Sequence, residues 1–187
     1  GPEYFELKHN GVQFLFLNSG PLLKMAYGHV NPSVLHWACE RLNASAKEKM
    51  PAIIITHYPI LEGDVDNWSA VTDSLRRSGN VRLFIGGHYH AIRELDYDGI
   101  PGILMRSNLP DDNGNPGYGI YEVNDKEIKA YVQSFGKEKK FIHAYTIQHA
   151  VYDPQGNAKK YPDFSDNKRW SNIKEAWTSL SGNGSGA

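Results

Sequence analysis

The sequence predicts a layered α/β domain with a mixed β-sheet. Short apolar runs, Phe14-Leu15-Phe16-Leu17, Ala52-Ile53-Ile54-Ile55 and Val81-Arg82-Leu83-Phe84-Ile85, alternate with helical patterns in the first half of the chain. That is the signature of strands buried on both faces and joined by helical crossovers. After residue 90 the apolar period falls to two, with Ile128, Ala130 and Val132 alternating with Lys129, Tyr131 and Gln133, as in a sheet with one wet face. Turn pairs at Asn10-Gly11, Asp98-Gly99 and Asn124-Asp125 punctuate these strands, because such residues tolerate the backbone angles that tight turns need.

Taken in order, Phe5 and Leu7 fall on one face of a first strand, and His9-Asn10-Gly11 turns it into the strand around Phe14–Leu17. Asn31-Pro32 opens a helix over 31–43, with Asn31 as cap and Pro32 at the first helical position. Leu35, Ala38 and Leu42 form its apolar stripe, with Trp37 beside it. The run 52–56 is the next strand. Asp66 or Asn67 caps a short helix carrying Val71 and Leu75 and ended by Gly79, and 81–85 is the strand that follows. Further strands are expected over 91–97, 100–106, 118–123, 127–133 and 141–148, with no internal repeat.

Composition excludes several functional classes. In 187 residues, 20 Lys+Arg meet 21 Asp+Glu, a formal net charge of −1, whereas a nucleic-acid surface needs a basic excess. No apolar run approaches the roughly 18–20 residues that span a bilayer. The single Cys39 excludes an internal disulfide framework and a cysteine-built zinc site, and it is expected to pack in the first helix. The domain is expected to occupy residues 1–148. Residues 149–187, rich in Gly, Asn, Ser, Lys and Pro, read as a linker or tail leading to a further module. A chain that opens within a strand pattern is expected to have been cut from something longer.

Two segments carry chemistry. In Ile55-Thr56-His57-Tyr58-Pro59 a histidine follows a buried strand, and in Ile85-Gly86-Gly87-His88-Tyr89-His90 two more follow the next one. Ligands of open α/β sheets collect outside the carboxyl ends of the strands, and neutral imidazole suits zinc, iron and manganese. In an extended segment, a spacing of two sends His88 and His90 to the same side. A lone histidine after a strand is ordinarily a polar strand end, but the two motifs in order, with a helix between them, favour a metal site. The remaining histidines, His9, His29, His36, His143 and His149, have no motif context; His29 lies in a long loop within reach of the site.

Thr56-His57-Tyr58-Pro59 followed by Gly87-His88-Tyr89-His90 resembles the last two motifs of the calcineurin-like metallophosphoesterases. The opening Gly1-Pro2-Glu3-Tyr4-Phe5 and the segment Phe14 to Gly20 resemble the strand pair after that family's Gly-Asn-His motif, and residues 34–42 resemble the helix before its penultimate motif. The likeness covers about residues 1–135. It implies an α/β/β/α sandwich, of which this chain is the C-terminal half with a mixed sheet. It also implies phosphomonoester or phosphodiester hydrolysis at a dinuclear centre of zinc, manganese or iron, with His57 and His88 on one metal and His90 on the other. Arg106, in Arg106-Ser107-Asn108, resembles a segment of bacterial members and would bind a substrate phosphate; a structural salt bridge is the alternative.

The Asp-x-His, Gly-Asp and Gly-Asn-His motifs of that family do not precede these histidines. Gly63-Asp64-Val65-Asp66 follows His57 and is out of order. The resemblance therefore implies that this chain supplies imidazoles but no catalytic acid or base, that its partner is the missing N-terminal half of the domain, and that it is inactive alone. A non-catalytic binding or scaffold module on the same fold is the alternative, and a mononuclear imidazole site a third reading. Tyr161-Pro162-Asp163-Phe164-Ser165 and the stretch from Trp170 to Trp177 resemble the junction of secreted bacterial phosphoesterases with a β-propeller, which implies a periplasmic or secreted location.

Overall fold

The structure, a computed structural model, describes residues 3–21, 27–110 and 115–156. Expectations on the first two residues and on the tail beyond residue 156, including Trp170 and Trp177, lie outside the described residues.

Strands β1 (Phe5–His9) and β2 (Val12–Phe16) form an antiparallel hairpin. Its turn has positive φ at Asn10 (48°) and Gly11 (76°), which is why Asn-Gly stands there. Helix α1 (Pro32–Lys47) begins as expected: Asn31 Oδ1 accepts from the Ser33 amide at 3.0 Å. Its buried stripe is Val34, Ala38, Leu42 and Ser45, with Leu35, Trp37 and Cys39 packed partly at its flanks. Burial raises the Cys39 thiol above its ordinary pKa.

Strand β3 (Ala52–Ile55), helix α2 (Trp68–Arg76) and strand β4 (Val81–Gly86) follow. Asn67 stands at the N-terminus of α2, yet its side chain does not cap the helix. It grips Val30 instead, accepting from the Val30 amide at 3.2 Å and donating to the Val30 carbonyl at 2.8 Å. The long loop before α1 is thereby tied to the start of α2.

Strands β5 (Arg93–Tyr97) and β6 (Ile100–Leu104) complete a six-stranded mixed sheet in the order β1-β2-β3-β4-β6-β5, in which β2, β3, β4 and β6 run parallel. Strands β7 (Gly117–Val123), β8 (Glu127–Ser134) and β9 (Lys140–Thr146) form a separate antiparallel sheet. The division into two sheets was not legible in the period-two pattern, because pairing partners are set by packing as well as by alternation.

The central strands of the large sheet are buried on both faces, as their apolar runs require. Leu15, Ile54, Phe84 and Tyr97 meet α1 and α2 on one side. Val12, Ile53, Leu83 and Ile103 meet Ile128, Ala130 and Tyr145 of the small sheet on the other. The described residues thus give three layers, helices, large sheet and small sheet. The chain beyond β9 returns to the body: Tyr152 packs on the helix-side core, and Arg76 donates to the Asp153 carbonyl at 2.7 Å.

On the small-sheet side, one cross-strand row runs in register through Phe5, Phe16, Ile55, Ile85 and Ile103. Ile103 is fully buried, whereas Phe5, stacked on Phe16 at 4.2 Å, is 45% exposed and its neighbour Leu7 is 50% exposed. The small sheet therefore covers one end of the row and leaves the β1 end open.

Four tyrosines make the fold alkali-sensitive. Burial pushes Tyr145 and Tyr152 up to about 12 and also raises Tyr97 and Tyr121. The unfolded chain loses these phenolic protons first, near the ordinary value of about 10. Between there and the folded values the native state holds more protons, so stability falls as pH rises. The urea midpoint is expected to be insensitive to these groups below pH ~9 and to drop steadily between about pH 10 and 12; a flat profile across that range would contradict the assignment.

Candidate metal centre

The site is built where β3 and β4 end side by side. Their parallel ladder does not stop at the last strand residues. The Thr56 amide donates to the Ile85 carbonyl and the Gly87 amide to the His57 carbonyl, both at 3.0 Å. The two strand ends are thus locked together, and His57 and His88 leave the same edge of the sheet. Their rings stand edge to face with centroids 5.6 Å apart.

The turn before Tyr58 is fixed as well. Thr56 Oγ1 donates to the Tyr58 carbonyl at 2.9 Å, while Ser19 Oγ accepts from the Tyr58 amide at 2.9 Å and donates to its carbonyl at 3.2 Å. The Tyr58 ring then lies against His88 at 4.1 Å and meets His57 at 5.4 Å. Gly28 lets the preceding loop approach this turn, since a Cβ there would stand 2.4 Å from the Ser19 carbonyl oxygen and 3.0 Å from Tyr58 Cβ.

The segment from Gly87 to His90 is not extended. His88 has φ 71° and His90 φ 54°, and the Tyr89 amide donates back to the Gly87 carbonyl at 2.9 Å. An i→i+2 bond around a residue with φ near +75° is a strained γ-turn. Such backbone costs about 1–3 kcal/mol and persists only where its surroundings impose it. Here they do: Tyr58 packs on His88, Arg93 sits over the Tyr89 ring at 4.6 Å, and the Tyr89 hydroxyl donates to Asp64 Oδ1 at 2.5 Å.

Asp64 belongs to the segment that looked out of order. The segment is stitched to the loop before α1: the Gly28 amide donates to the Asp64 carbonyl at 2.7 Å, and the Asp66 amide to the Gly28 carbonyl at 3.0 Å. His29 Nδ1 lies 2.7 Å from Asp66 Oδ1. Both carboxylates are therefore engaged, one with Tyr89 and one with His29. No local sequence signal joins Tyr89 to a carboxylate 25 residues away. The only hint is that Asp64 sits among the apolar residues Ile60 and Val65.

The three candidate ligands do not line one cavity. His57 opens onto a cleft of about 400 Å³ with Phe16, Leu17 and Ile55, and His90 onto another of about 380 Å³ with Ile92, Arg106 and Leu109. The pKa of His57 is lowered, first by loss of hydration and then by His88 and His90, which favours the neutral form that ligates metals. Among the described residues no three His, Cys, Asp or Glu side chains are gathered as a complete metal site. Two neighbouring imidazoles without a carboxylate fit part of a metal centre and not the whole of a dinuclear one.

Arg106 turns its guanidinium to the backbone. It donates to the carbonyls of Asn115 at 2.7 Å and Leu109 at 3.0 Å, and to Ser134 Oγ at 3.3 Å. Elsewhere His143 pairs with Glu94 at 3.2 Å, and His36 lies 3.6 Å from Glu40 on α1, both on the surface.

No protein-family model matches the sequence, and no curated protein does. Solved structures do. A dimetal phosphatase from Danio rerio superposes with a TM-score of 0.60 at 15% identity, over 78% of this chain and 60% of that one. GAP50 of Plasmodium, described as the anchor in the inner membrane complex, gives 0.50 at 12% identity, over 81% of this chain and 55% of that one. The described residues share the fold of these two structures. The chain spans little more than half the length of these two structures.

The Tyr89–Asp64 bond should be measurable in stability. Tyr89→Phe is expected to cost about 1–2 kcal/mol, because it removes the hydroxyl that donates to a buried carboxylate. Asp64→Ala should cost less in the Tyr89→Phe background than in the wild type. Additive effects in this double-mutant cycle would show that the two groups do not support each other.

Proposed function

We propose that this chain is the imidazole-bearing part of a metal-dependent phosphoesterase acting on phosphomonoesters or phosphodiesters. The observation that supports this reading is the convergence of His57 and His88 at one locked strand edge, with His88 held in a strained turn. Strain maintained by several independent contacts is characteristic of functional positions. The fold shared with a dimetal phosphatase is consistent with it.

Divalent cations, if held at that strand edge, would supply Lewis-acid stabilisation of the charge that develops in phosphoryl transfer. This chain's part is to hold neutral nitrogen donors, His57 and His88 toward one ion and His90 toward the other. Imidazoles do not offset the repulsion between two dications, which amounts to roughly 16 kcal/mol at 4 Å in an effective dielectric of about 20. The carboxylates that offset it come, in this reading, from a complementary N-terminal half of the domain. The open end of the Phe5-Phe16-Ile55-Ile85 row, which runs beneath His57, offers that half an apolar seat.

A scaffold role is the second reading. It is favoured by the engagement of Asp64 and Asp66 with Tyr89 and His29, which leaves both carboxylates already partnered.

Zinc titration of the 187-residue chain separates the two readings. The phosphoesterase reading expects at most one weakly bound zinc per chain, lost in His88→Ala, and no appreciable hydrolysis of p-nitrophenyl phosphate. A longer chain bearing upstream Asp-x-His and Gly-Asn-His motifs is expected to bind two metals and hydrolyse the ester, and His88→Ala should abolish its turnover. Zinc binding by the 187-residue chain that is unaffected by His88→Ala, or a longer chain without activity, would favour the scaffold.

A further inference from the structure

The geometry points to a binding subsite for an apolar leaving group, an aryl or alkyl alcohol of the phosphoester, in the cleft beside His90. This inference rests on the phosphoesterase reading and names the substrate class of that site.

The cleft, about 380 Å³, lies between the γ-turn loop and the segment after β6. Two large apolar side chains face solvent there: Ile92 is 39% exposed and Leu109 59% exposed. Pro110 and His90 line the same cleft. An exposed leucine alone says little, but apolar side chains gathered in a concave site beside polar groups are the usual make-up of a ligand pocket.

Arg106 sharpens the chemistry. It is the cationic side chain of the lining, and its guanidinium is directed at the Leu109 and Asn115 carbonyls and at Ser134. It shapes the wall by holding the chain that carries Leu109. A phenyl ring entering the cleft would exchange hydration for contact with Ile92 and Leu109, while the Arg106 guanidinium is already engaged with the Leu109 and Asn115 carbonyls and the Ser134 hydroxyl. His90, the one candidate ligand among the residues lining this cleft, sets the subsite beside the candidate centre. The other cleft, at His57, opens onto the Phe16–Ile55 row assigned above to the complementary half.

The test compares phenylphosphonate with methylphosphonate on the methyl-labelled 187-residue chain by NMR, with and without zinc. Phenylphosphonate is expected to bind roughly tenfold more tightly, from partial burial of the ring, and to move the Ile92 and Leu109 methyl resonances by ring-current shifts. Ile92→Ser with Leu109→Ser should reduce the preference to within about twofold and leave zinc affinity unchanged; both positions are exposed, so the fold should tolerate them. A phenyl preference without zinc-dependent tightening would uphold the cleft and count against the metal centre. Equal affinities, binding of neither probe, or ring-current shifts on Ile55 and Ile85 in place of Ile92 and Leu109 would overturn the subsite, even where zinc tightens both probes.

Discussion

The parallel ladder between β3 and β4 is the constraint from which the rest of the site follows. Two further backbone bonds carry it past the strands, from Thr56 to Ile85 and from Gly87 to His57. A loop ordinarily loosens within a residue or two of its strand. Here it cannot, because each strand end is the hydrogen-bond partner of the other. The relative position of His57 and His88 is thus set by sheet geometry, and side-chain packing has only to orient the rings. Tyr58 does this by touching both. The burial that makes the ladder strong comes from the two layers on either side, since Ile53 and Leu83 face the small sheet while Ile54 and Phe84 face the helices.

Much of this architecture was legible in the sequence because it is written in local terms. Buried parallel strands must be apolar on both faces, so 52–56 and 81–85 stood out, and the strands run over Ala52–Ile55 and Val81–Gly86. Asn10-Gly11 and Asn31-Pro32 name their turn and cap through backbone preferences alone. The placement of histidines at one edge followed from strand direction. What stayed hidden is tertiary. Leu35 looked like a member of the α1 stripe, but Val34 is buried there and Leu35 packs only partly at the flank. Asn67 looked like a cap and is a clamp on Val30. The spacing of two made the loop after β4 look extended, whereas His88 and His90 both have positive φ and distant Tyr58 and Asp64 brace His88 and Tyr89.

The Gly63–Asp66 segment shows most clearly why order along the chain is an incomplete guide. Its motif-like Gly-Asp falls after His57, and by family order it has no place in a metal site. In space it lies against the loop that carries His88 and His90, with the Asp64 carboxylate receiving the Tyr89 hydroxyl. Its contribution is mechanical: it braces the turn that presents the histidines. Arg106 is a parallel case, since its guanidinium organises the chain that follows β6 through bonds that no local pattern announces.

The positive φ of His88 also bears on how position 88 would evolve. Glycine and, to a lesser degree, asparagine occupy that region at little cost, whereas an imidazole-bearing residue does so under strain. Were the imidazole idle, drift would favour replacing it, since a glycine would relieve the backbone and the neighbouring contacts would relax. A histidine retained at this position across a lineage would therefore record purifying selection on its ring, and its replacement by glycine or asparagine would mark the branch on which that selection ceased.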